Sequence, residues 1–250
     1  MILEKILESI KKDYPVKQIQ IGLRWTAVVS KNCGLASTMP RECTGEEETM
    51  NSGFLTQMSA KELASWALSE KIEKASIGLA ALNSLIDIDK SKCIEMNADD
   101  IIREKGKDKN VSIIGHFPFV EELKGIAKNL WVIEKHPMPG DFPEQDALKY
   151  LPLSDIIAIS GTTLINHTLE KLISLCPEKS IKIVLGPTTP LSPILFDFGI
   201  DYISGSEVID ADAILKFIME GATFRQLKRT GNIRLLSMGN DRWKKFYFTR

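Results

Sequence analysis

The chain has 250 residues, about 1.7 times the roughly 150 of a typical domain, so one large α/β domain or two modest ones are allowed. With 44% hydrophobic and 26% charged residues it can bury a sizeable core and stay soluble, which excludes disorder, collagen-like repeats and a disulfide-stapled miniprotein. Its 32 Lys and Arg against 33 Asp and Glu give a formal net charge of −1, which argues against a surface that binds polyanions throughout.

The opening MILEKILESIKK places acids and lysines inside its apolar period, so it reads as an amphipathic helix rather than a signal peptide. No later window holds the roughly 18 uninterrupted apolar residues of a membrane span, and a cytoplasmic location is expected. From Ile19 to Val29, alternation of Ile19, Ile21, Leu23, Trp25, Ala27 and Val29 predicts one long half-buried strand. A polar stretch from about Lys31 to Gln57 follows; a stretch that long is functional or contains a strand. Ser59 with Glu62 forms a capping box before ELASWALS. A second helix, about 70–84, carries the small residues Ala75, Gly78 and Ala81. Asn97, with Asp99 and Asp100 in the first turn, caps a short helix ending at Gly106, and a domain boundary is placed there: residues 1–105 form an α+β unit and residues 106–250 a second one.

From Val111 onward strands and helices alternate. The runs VSIIG, LWVIE, DIIAISG, IKIVLG and DYISG predict a doubly wound, Rossmann-like parallel sheet covered on both faces. Four of these runs end in glycine, at Gly115, Gly161, Gly186 and Gly205, where a sharp turn and a close ligand approach are possible. Open α/β sheets bind their ligands beyond that carboxyl edge.

The first turn, Gly115-His116-Phe117-Pro118-Phe119, retains only the first glycine of G-x-G-x-x-G, which disfavours ordinary dinucleotide binding. Glu134 ends the second strand, where nucleotide-binding folds place a carboxylate for a ribose hydroxyl; a nucleoside-like ligand and a solvated carboxylate beside Lys135 are both open. His116, His136 and His167 all follow strands. Imidazole suits proton transfer and divalent metal binding, so the three are candidates for a site, with His116 at the turn foremost and His167, a turn or more into a helix, equally suited to packing. Phe117 stacks on a planar ligand or fills core. Thr162 and Thr163 cap a helix or contact a polar ligand group. The proline-rich turn from Gly186, Pro187 and Thr188 to Pro193 makes a stiff pocket wall and is no Walker loop.

Cys33, Cys43, Cys93 and Cys176 form no C-x-x-C pair, which points to a reducing compartment. Cys33 and Cys43, with Glu46 to Glu48, mark the polar stretch as a second place for a soft metal. From Arg225 onward eight Lys or Arg stand against the single Asp241, interleaved with Trp243, Phe246, Tyr247 and Phe248. Nucleic-acid binding and an edge strand or homodimer contact are both consistent with that tail, and the second is the preferred reading.

The segments IGHFPF (114–119), ISGTTLINHTLE (159–170) and VLGPTTPLSP (184–193) resemble the signature turns of the heavy-metal chelation family, long catalogued as a domain of unknown function. GLRWTAVV (22–29) and GLAALNS (78–84) resemble its companion domain. The resemblance implies an enolase-N-terminal-like α+β domain, a Rossmann-like domain, and a site in the cleft between them. It points to Gly115, His116, Phe117, Pro118, Glu134, Gly161, Thr162, Thr163, Asn166, Gly186, Pro187 and Thr188, with Trp25, Thr26 and Asn83 from the first domain. It further implies a role in metal chelation or in making a chelator, such as a pterin-like heterocycle. Two functions follow as expectations. One is binding or modification of a small polar heterocycle, with His116 and Glu134 as the catalytic pair. The other is non-catalytic sequestration of a metal.

Overall fold

The computed structural model describes residues 1–39 and 51–240. Helix α1 (Ile2–Ser9) buries Ile2, Leu3 and Ile6 and ties its first N–H to the Glu170 carboxylate at 2.7 Å. Strands β1 (Gln18–Ile21), β2 (Trp25–Val29) and β3 (Cys33–Ser37) then form an antiparallel sheet in that order. The single long strand expected over 19–29 is therefore two. The Gly22 N–H bonds the Trp25 carbonyl at 2.9 Å and the chain reverses at Leu23 and Arg24. The turn shifts the inward parity. Ile19 pairs with Val28, and both join the main core, whereas Trp25, Ala27 and Val29 face the opposite side. The polar stretch after Lys31 contains β3; Cys43 and Glu46 to Glu48 lie outside the described residues.

Helix α2 (Ala60–Ser65) opens on the expected box: Ser59 Oγ accepts the Glu62 N–H at 3.2 Å, and Glu62 accepts the Ser59 N–H at 2.9 Å. Helix α3 (Ile72–Leu85) is buried continuously from Ala75 to Leu82, and an all-round apolar helix of this kind lies inside a fold. Its small residues permit the approach: a Cβ on Gly78 would stand 2.0 Å from the Ala67 nitrogen, and one on Gly34 of β3 would stand 2.1 Å from the Ala80 carbonyl oxygen. In α4 (Ala98–Gly106), Asn97 holds the N-cap position but caps no N–H with its side chain, and its Oδ1 accepts from Lys228 Nζ at 3.3 Å. This helix packs Ala98, Ile101 and Ile102 beside Val111 and Ile113 of the next strand.

The second sheet is built from β4 (Asn110–Ile114), β5 (Asn129–Glu134) after the short helix α5 (Val120–Leu123), and β6 (Phe142–Pro143). There follow α6 (Ala147–Tyr150), β7 (Ile156–Ser160), α7 (Leu169–Leu175), β8 (Ile181–Leu185) and β9 (Tyr202–Val208). Helices α8 (Ala211–Met219) and α9 (Phe224–Arg229) lead into β10 (Ile233–Gly239). The order is β10-β9-β8-β7-β4-β5-β6, parallel except for β10. Counted within this sheet, the parallel strands run 3-2-1-4-5-6, the order of dinucleotide-binding folds. The expected Rossmann-like sheet is thus present, with β6 and β10 added to the five anticipated strands.

Period-2 alternation assigns the two faces. Ile156 and Ala158 pack with α4 and α5, whereas Ile157 and Ile159 pack into a core that takes in α1, α2 and α3. That core runs from Ile2 to Met238. Helix α8 covers the far face of the small sheet, packing Ile214, Leu215 and Ile218 on Ala27 and Leu35. The β10 edge is shielded where Ile94 and Ser237 exchange hydrogen bonds of 2.8 and 2.9 Å. The aromatic residues Trp243, Phe246, Tyr247 and Phe248 lie outside the described residues. No helix among the described residues is long and apolar enough to cross a membrane.

Candidate functional site

In a sheet of order 3-2-1-4-5-6 the strand connections diverge between β4 and β7, the switch point beside whose carboxyl ends open α/β sheets bind their ligands. Gly115 and Ser160 stand at that divergence. Gly115 has φ 103°, and a Cβ there would lie 3.2 Å from the Ser160 Cβ and 3.4 Å from the Phe117 ring. A side chain at Gly115 would therefore be both strained and crowded. Gly186, after β8, has φ 108° and also faces the Phe117 ring, 4.0 Å from where a Cβ would sit. The half-buried Phe117 thus spans the strand ends and stacks on Phe119, with ring centroids 5.2 Å apart at 18°. Pro118 is exposed beside it.

His116 and Glu134 meet through the backbone of the first. Glu134 Oε2 accepts the His116 N–H at 3.0 Å and Oε1 accepts the Lys135 N–H at 2.7 Å, so the carboxylate holds the turn after β4 against the end of β5. The His116 side chain has a different partner: its Nδ1 lies 2.8 Å from Asp141 Oδ2. Asp141 is the residue that sequence reading missed. Its side chain is 4% exposed against 29% for His116, and it also accepts the Met138 N–H at 3.1 Å. The available signal was the turn His136-Pro137-Met138-Pro139-Gly140-Asp141, in which Gly140 takes φ 98° and folds the chain back toward β4.

The remaining residues mark two neighbouring surroundings. Ser160 Oγ and Thr162 Oγ1 lie 2.9 Å apart and Thr163 Oγ1 donates to the Ser160 carbonyl at 2.7 Å, closing a short 3-10 turn. Asn166 Oδ1 accepts from Thr168 Oγ1 at 2.6 Å. His167 is not within a helix. It precedes α7 in a left-handed conformation, φ 56°, because the 3-10 turn ends before α7 begins, and its Nε2 bonds the Ser69 carbonyl at 2.9 Å. A Cβ on Gly161 would lie 2.4 Å from Thr189 Oγ1, and one on Gly205 2.6 Å from the Thr189 carbonyl oxygen. Gly205 does not end its strand, which continues to Val208; the glycine accommodates the proline-rich loop lying across β9. Ser206 Oγ donates to the Pro187 carbonyl at 3.4 Å.

Thr188 and Asn83 join the two sheets. Thr188 Oγ1 accepts the Ser37 N–H at 3.0 Å, and Asn83 Nδ2 donates to the carbonyls of Leu35, at 2.8 Å, and Thr188, at 3.0 Å. Because both Nδ2 bonds go to carbonyls, the amide orientation is fixed, and the buried Asn83 Oδ1 faces no donor. Trp25 packs on Phe224, with centroids 5.6 Å apart, and Thr26 Oγ1 pairs with Thr38 Oγ1 at 2.9 Å; both belong to the small sheet.

His116, His136 and His167 do not converge. Among the described residues no group of three or more His, Cys, Asp or Glu side chains is placed to hold a metal ion. Burial pushes the Cys33 thiol from 9.0 up to about 12 and the Cys93 and Cys176 thiols up to about 11, which disfavours the thiolate a soft metal requires. These shifts have a stability consequence. The folded chain holds the thiol protons more tightly than the unfolded chain, so the stabilisation is complete below pH 9 and is lost as pH rises through 9 to 12. Urea midpoints are expected to fall across that window, and less steeply for Cys33→Ala; parallel slopes would contradict the assignment.

Two family models, both described as "Putative heavy-metal chelation", match this chain, one over residues 3–86 and the other over residues 97–237. The second alone covers more than half of the chain. The chain belongs to this family. As a heavy-metal chelation family member it is similar to an uncharacterized protein of Methanocaldococcus jannaschii, 28% identical over 239 residues, covering 87% of this chain and 91% of the relative. A family member of unknown function from Desulfitobacterium hafniense has the same fold at a TM-score of 0.82 and 24% identity, covering 96% of this chain and 98% of its own. A second, from Pyrococcus horikoshii, matches at 0.79 and 21% identity over 95% and 98%. At these identities the solved structures show the fold alone.

Proposed function

We propose that this heavy-metal chelation family member binds a small polar, metal-chelating heterocycle, such as a pterin-like one, where units 1–105 and 106–250 meet at the carboxyl edge of the large sheet. His116 acts there as acid/base or ligand. The observation that carries the reading is the switch point itself: two glycines with φ above 100° follow its strands, the Phe117 ring lies against both, and beside the first stands a histidine whose Nε2 has no partner among the described residues. Glu134 serves by holding the turn that carries His116. A metal that arrives with its own organic chelator suits a site whose histidines are separated and whose described thiols stay protonated.

Native mass spectrometry and elemental analysis of gently purified protein test this. Wild type is expected to retain an organic ligand, and His116→Ala to bind it about tenfold more weakly and retain less of it, the effect of losing roughly 1.4 kcal/mol of binding. Undiminished retention in both His116→Ala and Glu134→Ala would sink the assignment. Stoichiometric metal without an organic ligand would favour direct sequestration instead.

A further inference from the structure

Several other features are accounted for without a ligand. The groove of about 550 Å³ beside Lys11, Lys12, Lys31 and Tyr14 lies just beyond α1, and its Lys31 is paired with Asp87. The open depression around Arg103 and Asp108 places Arg103 between Asp99 and Glu122, at 2.9 and 2.6 Å. The pairing of His116 with Asp141 lacks such an account. It joins the ends of two segments 25 residues apart, and the carboxylate is nearly buried while the imidazole is partly exposed.

We propose that Asp141 is the positioning residue of His116: it accepts the Nδ1–H, fixes the neutral ring as that tautomer, and leaves the Nε2 lone pair as a proton acceptor. The deduction is geometric. A carboxylate offers only acceptors, so the nitrogen 2.8 Å from Asp141 carries the proton and the other nitrogen of a neutral ring cannot. Asp141 is itself immobilised by the Met138 N–H, and the His116 backbone by Glu134, so the ring is fixed from both ends. Lys135, which follows Glu134, lies 3.7 Å from Glu144.

Resting on the binding reading above, this assigns the ligand an acidic O–H or ring N–H. Nε2 takes that proton; the bonding pair remains on the ligand oxygen or nitrogen as an anion, and the imidazolium keeps its Nδ1–H on Asp141. The proton returns by the reverse step, with no further reactant. A chelator that coordinates through such an oxygen or nitrogen loses its proton on binding a metal, so for a ligand of this class the dyad produces the coordinating form.

The test uses ligand-free full-length protein with 15N-labelled histidine, the three rings being assigned from His136→Gln and His167→Gln variants. Neutral His116 is expected to show a protonated Nδ1 and an unprotonated Nε2, and D141N to reverse the dominant tautomer. Acylation of His116 by diethyl pyrocarbonate is expected at Nε2, at least fivefold slower in D141N. An Nε2–H tautomer in wild type, or identical tautomer and rate in the two proteins, would overturn the proposal; the wild-type spectrum decides the first point even if the variant folds poorly. Because no ligand is used, failure of the binding reading would leave these results untouched.

Discussion

Gly34→Ala is expected to cost about 3 kcal/mol or more, or to prevent folding. An added Cβ would lie 2.1 Å from the Ala80 carbonyl oxygen, 2.3 Å from the Ser84 nitrogen and 2.7 Å from the Asn83 carbonyl carbon. All three are backbone atoms of α3, so no rotamer change relieves the overlap; β3 and α3 must separate. Separation would also disturb Asn83, whose amide bonds both the Leu35 and Thr188 carbonyls. Gly231→Ala is the comparison. Its φ of 75° strains an alanine by roughly 1–2 kcal/mol, but nothing lies within 4 Å of the new Cβ. Urea unfolding of both proteins checks this. Equal losses would show that the β3–α3 approach relaxes easily.

Ile159→Ala is expected to lower stability by about 2–4 kcal/mol while leaving a single unfolding transition. Ile159 is fully buried near the end of β7, in the core that joins the large sheet to α1, α2 and α3. With apolar contacts continuous from Ile2 to Met238, and with Thr188 and Asn83 bonded across the junction, neither part keeps its core when the other unfolds. Tryptophan fluorescence and far-ultraviolet circular dichroism are therefore expected to give coincident midpoints in wild type and variant. Two separated transitions in wild type would refute the shared core. Leu148, 62% exposed, supplies the control, with Leu148→Ala expected to be near neutral.

Much of the fold was legible because its signals are local. Apolar runs of four to six residues located β4, β5, β7 and β8, and Ser59 with Glu62 located the start of α2. The hairpin at Gly22 was hidden because a turn with Leu23 and Arg24 at its tip preserves the count of alternating residues while exchanging the buried face, so the pattern of one strand and of two looks alike. The His167 turn was misread for a related reason: an apolar run after Gly161 suits an α-helix as well as the 3-10 turn that forms there.

The candidate site divides along the same line. Glu134 ends a strand, and Gly115, His116 and Gly186 follow strands in the sequence, so their common edge was implied once the parallel sheet was recognised. Asp141 belongs to no strand and carries no motif, and its role depends on Gly140 turning the chain back to His116.

Length, composition and period by themselves determined a mixed α/β chain with a parallel sheet near its carboxyl half, and net charge excluded a uniformly polyanion-binding surface, because backbone period and composition are properties of the chain read in order. Only the tertiary structure decided which residues meet across that order. It separated the three histidines, set Thr188 and Asn83 at the junction of the sheets, and brought Asp141 to His116, because hydrogen bonds and close packing depend on distance in space rather than along the chain.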